Sequence, residues 1–148
     1  MTLQDWLKNK WLKSHKTSRE EVYQQFEMAK RDLHDAGVTT ISPDWRLSMA
    51  YNASLRYATT ALNACGYRTS GESHHERLIE SLKYTIDANP DIIAKLHRFR
   101  KKRHVSSYDM AWSVSEYEVK EAIKLAQELG ELVKRWLKKN HPELAKDI

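Results

Sequence analysis

From Ser115 onward the chain reads as one long amphipathic helix, and that run constrains everything before it. Ala122, Ile123, Ala126, Leu129, Val133, Trp136 and Leu137 recur at three- and four-residue steps, which puts them on a single face at about 3.6 residues per turn. Ser115 and Glu118 stand at capping-box spacing ahead of this stripe, Val114 and Val119 at the spacing of a hydrophobic staple, and the pattern ends near Asn140, before Pro142. A helix with one apolar face needs a neighbour of the same periodicity to cover it.

The upstream sequence supplies such neighbours. A capping box at Ser18 and Glu21 precedes apolar positions at Val22, Phe26, Ala29 and Leu33, with a stop near Gly37. Ser42-Pro43-Asp44 opens a long run through Trp45, Leu47, Ala50, Tyr51, Leu55, Ala58, Ala61 and Leu62 that stops at Gly66. The many small residues on it predict close approach of another helix. Tyr67 to Glu72 reads as a polar loop, followed by a box at Ser73 and Glu76 and a helix built on Leu78, Ile79, Leu82 and Ile86. Asn89-Pro90 starts the next, which turns Ile92, Ile93, Leu96 and Phe99 toward the core before the pattern dissolves at Val105 to Tyr108. In front of all these, Leu3, Trp6, Leu7 and Trp11 predict a short amphipathic helix over about residues 2–14. The fold class expected is all-α, an up-and-down bundle with a four-helix core plus a short N-terminal helix. One domain is expected over residues 1–148, with the extra helix in 1–16, the core in 18–140 and a frayed tail in 141–148.

Composition agrees with that reading. Four Gly and three Pro among 148 residues leave little turn or strand chemistry, while five Trp and seven Tyr beside 30% charged residues argue for a packed core under a polar surface. The lone Cys65, flanked by Ala61 and Ala64, has no disulfide partner in the chain and reads as a small buried residue. The first thirteen residues carry Lys8, Lys10 and Lys13 without the apolar run of a signal peptide, and no stretch approaches membrane-spanning length. A cytoplasmic location with no membrane partner is the expectation. The net charge of +5 permits a nucleic-acid partner.

That charge is concentrated. Between residues 95 and 104 lie Lys95, Arg98, Arg100, Lys101, Lys102 and Arg103, together with His97 and His104. On a helix, the series Ile92, Leu96, Phe99 is continued at the next four-residue step by Arg103, so a guanidinium falls where a core side chain is due. Burying a charge without a partner is costly, so Arg103 is expected either to snorkel out at the helix end or to line a cleft. In the first case the charges form a solvated face favoured by the helix dipole. In the second, Arg103 with Arg98, Arg100, Lys101 and Lys102 would hold a phosphate or an RNA backbone, for which a planar, permanently charged fork is suited.

The segment from Leu96 to Asp109 resembles the signature of the HEPN superfamily, in which a helix ends in Leu-Arg-x-x-Arg-polar and a His follows four to six residues later. Arg103 matches the motif arginine, His104 the polar residue, and Tyr108 the place usually taken by the histidine. Upstream, Ser48-Met49-Ala50-Tyr51-Asn52-Ala53 and the run to Gly66 look like the Ala-Tyr-Tyr-Ala helix of a small-protein branch, and His75 corresponds to a histidine often found after it. The resemblance spans about residues 20–140. It implies a helical bundle that dimerises, an RNA or nucleotide partner, and in some relatives a small nucleotidyltransferase partner or a toxin–antitoxin or defence role. In active members the Arg stabilises the phosphate and the His moves protons. Here Tyr108 replaces that His, and a phenol with a pKa of about 10 is a poor base at neutral pH, so the resemblance implies weak or lost nuclease activity. The alternative is an active, metal-independent endoribonuclease in which His104 or Tyr108 transfers the proton with Arg103. A third reading is a protein-interaction module whose motif braces the bundle.

Among other residues, His74 and His75 are expected to point apart on their helix and have no zinc-type partners. Tyr51, His75 and Asp109 are candidate pocket residues, Asp109 as a partner of Arg103 or Arg100. Trp45 and Trp112 read as core or interface aromatics. No metal site, cofactor motif, phosphate loop or catalytic triad order is expected.

Overall fold

The computed structural model describes residues 1–106 and 114–148. Its elements are α1 (Leu3–Lys8), β1 (Leu12–Ser14), α2 (Arg19–Ala36), α3 (Pro43–Ala64), β2 (Tyr67–Thr69), α4 (His74–Thr85), α5 (Pro90–Ser106) and α6 (Glu116–Asn140), followed by a single 3₁₀ turn at Pro142–Leu144. The fold is an all-α bundle. α3 is its hub, packed against α2, α4, α5 and α6.

The helix starts follow local chemistry. The Ser115 hydroxyl accepts from the Glu118 backbone while the Glu118 carboxylate returns to the Ser115 backbone, a complete capping box. Ser18 likewise accepts from the Glu21 backbone, but the Glu21 carboxylate turns elsewhere, to His15 Nε2 at 2.7 Å, Thr17 Oγ1 at 2.9 Å and Asn63 Nδ2 at 3.2 Å. Although burial works against its charge, these donors hold its pKa below the usual carboxylate range. At α5, the Asn89 side chain accepts from the Asp91 backbone at 2.8 Å.

Small residues set the hub's contacts. Ala50, Ala53 and Ala61 on α3 are wholly buried, and Gly130 on α6 lies so near Tyr57 that a Cβ there would fall 2.7 Å from Cζ. Close approach of this kind maximises dispersion contacts between the helices.

Three expectations need correction. The predicted helix over residues 2–14 ends at Lys8. Lys10 adopts the left-handed conformation (φ 62°), the Trp11 amide donates to the Trp6 carbonyl and the Lys10 amide to that of Leu7, which is a Schellman stop made without glycine. The chain then reverses into β1, which pairs antiparallel with β2 in the register Leu12 to Thr69 and Ser14 to Tyr67. The predicted loop at Tyr67 to Glu72 is thus partly strand. It is started by Gly66, whose φ of 94° lets its carbonyl face the His15 amide at 2.9 Å. Second, no capping box forms at Ser73, which is itself left-handed (φ 60°) and makes no side-chain cap bond. Third, the tail is docked: Ala145 is buried, and Asp147 pairs with Arg19 at 3.2 Å.

Arg46 is a buried cation the sequence reading missed. At 3% exposure, its Nε donates to the Ala36 carbonyl at 2.7 Å and it pairs with Glu116 at 2.6 Å. This clamp ties α3 to the end of α2 and the start of α6. Trp45 beside it is 64% exposed, so it is not a core residue.

Candidate functional site

α5 distributes its six cations by helical geometry. Arg98 and Lys102, four residues apart, share a face turned to α6, where Arg98 is paired with Glu121 and Lys102 with Glu118 at 3.5 Å. Lys95 and Lys101 are exposed. Arg100 and Arg103, three residues apart, lie on the face turned toward α3 and α4 and are partly buried. This last pair faces a cleft with polar residues of α3 and α4, whereas Lys95 borders a separate groove with Tyr117, Lys120 and Lys124 of α6.

That cleft, of about 360 Å³, is lined by Tyr51 from α3, by Ser73, His74, His75 and Glu76 at the start of α4, and by Arg100 and Arg103 from α5. The Arg103 guanidinium carbon stands 5.4 Å from the centre of the Tyr51 ring, in cation–π range. His75 meets the same ring edge-on at 6.2 Å. The Arg103 position, continuing the buried stripe of Leu96 and Phe99, therefore ends in the cleft wall, as one of the two sequence alternatives expects.

Two groups in this wall lack partners. The Tyr51 hydroxyl, on a residue only 2% exposed, and the Nε of Arg100 are both buried without a hydrogen bond among the described residues. A buried hydroxyl left in this way costs about 1–3 kcal/mol. Burial pushes the Tyr51 phenol up to about 12, against the pull of Arg103 and Arg100, so it is a neutral O–H at physiological pH. The uncapped first turn of α4 adds the positive end of a helix dipole to the same wall.

His74 and His75 do not point apart. Their rings stack at 4.3 Å with 10° between planes in the first turn of α4. Burial, then the neighbouring His74, Arg103 and Arg100, lower the His75 pKa below its ordinary value. Its ring is therefore held neutral at pH 7.

A second groove of about 410 Å³ adjoins the first and shares His74, His75 and Arg103 with it. Its further lining includes Gln25, Asn52 and Thr59. Arg56, also there, is held by Asp32 at 2.8 Å.

Of the residues singled out from sequence, the structure brings together Tyr51, His75, Arg100 and Arg103, leaves Lys101 on the surface, and ties Arg98 and Lys102 to α6 carboxylates. Tyr108, Asp109 and Trp112 lie outside the described residues, as does the side chain of His104. His74 was not foreseen in the cleft. Its only sequence signal was adjacency to His75, which a regular helix would have separated by about 100°. Cys65 is half-buried, and burial raises its thiol pKa, as befits an inert packing residue.

An all-α bundle whose hub helix, α4 and α5 enclose a cationic, phenol-lined cleft is the class of protein these features define. Residues 22–136 match the family model described as the HEPN domain, and the chain belongs to the HEPN family. Neither a search of curated proteins nor one of solved structures found a match. Membership suggests a nucleotide- or RNA-related function, and dimerisation is typical of the family. Among the described residues, no helix is long and apolar enough to cross a membrane.

Proposed function

We propose that this HEPN protein binds RNA or a nucleotide through phosphate in the cleft of Tyr51, His75, Arg100 and Arg103, with weak or lost nuclease activity. It acts as a homodimer and as one component of a toxin–antitoxin or stress-defence module. The observation that carries the reading is the position of Arg103. It stands over Tyr51 in a cleft shared with Arg100, instead of extending into solvent from the end of α5. Two permanent cations with fork geometry, beside the N-terminus of α4, favour phosphate oxygens over a carboxylate of lower charge.

The test is metal-free incubation of the protein and of Arg103→Ala with structured and single-stranded RNA, scoring retention and cleavage together. Retention that falls with rising salt and weakens in Arg103→Ala, without cleavage, is the expected result. A protein that neither retains nor cuts RNA, and is destabilised by Arg103→Ala, is instead an interaction module, for which a nucleotidyltransferase is the partner to try.

His75 favours one second reading, a metal-independent endoribonuclease. Its ring, beside Arg103 and with a lowered pKa, is able to accept a proton at pH 7, a role the sequence offered only to His104 or Tyr108. Cleavage that survives His104→Ala and Tyr108→Phe but vanishes in His75→Ala would establish that reading.

A further inference from the structure

Residues 1–15 precede the span that matches the family model, and none of them lines the cleft. They nevertheless hold the chain on both sides of the two cleft histidines. Ahead of His74, β1 pairs with β2, and Ser70 is tied twice: its amide donates to the Trp11 carbonyl at 3.0 Å and its hydroxyl to the Lys10 carbonyl at 2.9 Å. Beyond His75, the Arg77 guanidinium lies over the Trp11 ring at 4.4 Å, and Tyr84 meets Trp6 edge-on at 5.4 Å.

The strap formed by α1 and β1 is itself seated on the bundle. Trp6 and Leu12 are buried, and Trp6 meets Trp11 edge-on at 5.9 Å. Its far end is fastened through the His15 amide to the Gly66 carbonyl, and through the His15 ring to Glu21, whose carboxylate also accepts from Asn63 of α3.

Between the anchors at Ser70 and Arg77, Gly71 and Ser73 adopt positive φ angles of 79° and 60°. For Ser73 that conformation is strained, and such strain persists only where the surrounding structure fixes the chain. The strap does so from either side, and His74 and His75 are carried between its two points of attachment. His75 meets the same Tyr51 ring that Arg103 covers, so any change in the path from Ser70 to Arg77 moves an imidazole relative to that cation.

We infer that the strap of residues 2–15 is a positioning element for the cleft, which fixes through Trp11 where His74 and His75 stand beside Tyr51 and Arg103. The placement holds whatever the cleft binds. Its consequence for RNA rests on the phosphate-binding reading above.

The experiment is an NMR titration of the His75 ring in the parent, Trp11→Ala and Trp11→Phe, with RNA retention measured on the same proteins. The groups that face His75, namely His74, Glu76, Arg100 and Arg103, are kept in all of them. Trp11→Ala releases Arg77 and weakens the hold on Ser70, so the ring gains water and its titration midpoint should rise toward the ordinary imidazole value. RNA retention should weaken about threefold or more. Trp11→Phe keeps a ring for Trp6 and Arg77 and should restore both. Arg46→Ala, which loosens the bundle where α2, α3 and α6 meet and leaves the strap intact, controls for general loss of stability and should not move the midpoint. Should Trp11→Ala fail to fold, Ser70→Ala, which removes only the bond to the Lys10 carbonyl, takes its place with the same expected direction.

A His75 midpoint unchanged in the strap variant, or moved equally by Arg46→Ala, would overturn the inference. A midpoint that rises in the strap variant alone, with RNA retention unaltered, would keep the strap and count against the cleft as the RNA site. If even the parent retains no RNA, the phosphate-binding reading falls, and the titration still decides the strap.

Discussion

The Tyr51→Phe substitution separates structure from function unusually cleanly, because its two effects have opposite signs. The ring is 2% exposed and packs beneath Arg103 and beside His75, contacts that Phe retains. What is lost is a buried hydroxyl with no partner among the described residues, a group that costs the folded state about 1–3 kcal/mol. Taking about 1 kcal/mol as the realised gain, the ligand-free variant should melt about 2–4 °C higher than the parent, given a chain of this size. Ligand should invert the order. A nucleotide bound in the cleft as proposed, at about one hundred times its Kd, adds about 2.7 kcal/mol to the parent, and a tenfold weaker variant gains about 1.3 kcal/mol less. Calorimetric melts of both proteins, with and without ligand, would reveal the crossing. A ligand-free variant destabilised by 1 kcal/mol or more would refute the reasoning, because the hydroxyl would then be bonded in the folded protein.

Three other outcomes follow from the same contacts. Arg46→Ala removes the donor to the Ala36 carbonyl and the partner of Glu116, and should lower unfolding free energy by about 1–3 kcal/mol in urea while leaving RNA retention unchanged. Arg103→Ala should weaken RNA binding and reduce the slope of log affinity against log salt by about one, whereas Arg98→Ala, whose cation is already matched by Glu121, should change the slope little; equal slopes for the two variants would mean that the cleft is not where phosphate binds. For His75 the folded pKa lies below the unfolded value, so the unfolded chain binds more protons. Its contribution to stability is full above an unfolded pKa of about 6.5 and is lost as pH falls below it. Faced by His74, Glu76, Arg100 and Arg103, it should make the stability difference between parent and His75→Gln fall on acidification, and a difference flat from pH 7.5 to 5.5 would contradict the assignment.

Much of the bundle was legible because its signals are local. The Ser115–Glu118 box, the Ser18 cap, the Asn89-Pro90 start and the apolar stripes each involve residues within a few positions of one another, and the structure places helices at all of them. The N-terminal hairpin was missed because its decisive terms are not local. The stop at Lys10 uses a residue type that rarely adopts φ above zero, and β1 exists only because Tyr67–Thr69 lies beside it. The box expected at Ser73 failed for a related reason: the pattern was present, but the chain leaves β2 on a path that puts Ser73 in the left-handed region.

Sequence alone determined the helix periods, most of their caps, the all-α class, the HEPN resemblance and the arginine that interrupts the buried stripe of α5, because a period and a cap are properties of one segment. It placed six cations in one run without dividing them. Only the tertiary structure decided that Arg98 and Lys102 meet carboxylates of α6 while Arg100 and Arg103 meet Tyr51 and two stacked histidines. That division depends on which helix packs on which face of α5, a relation between segments far apart in the chain that no local pattern encodes.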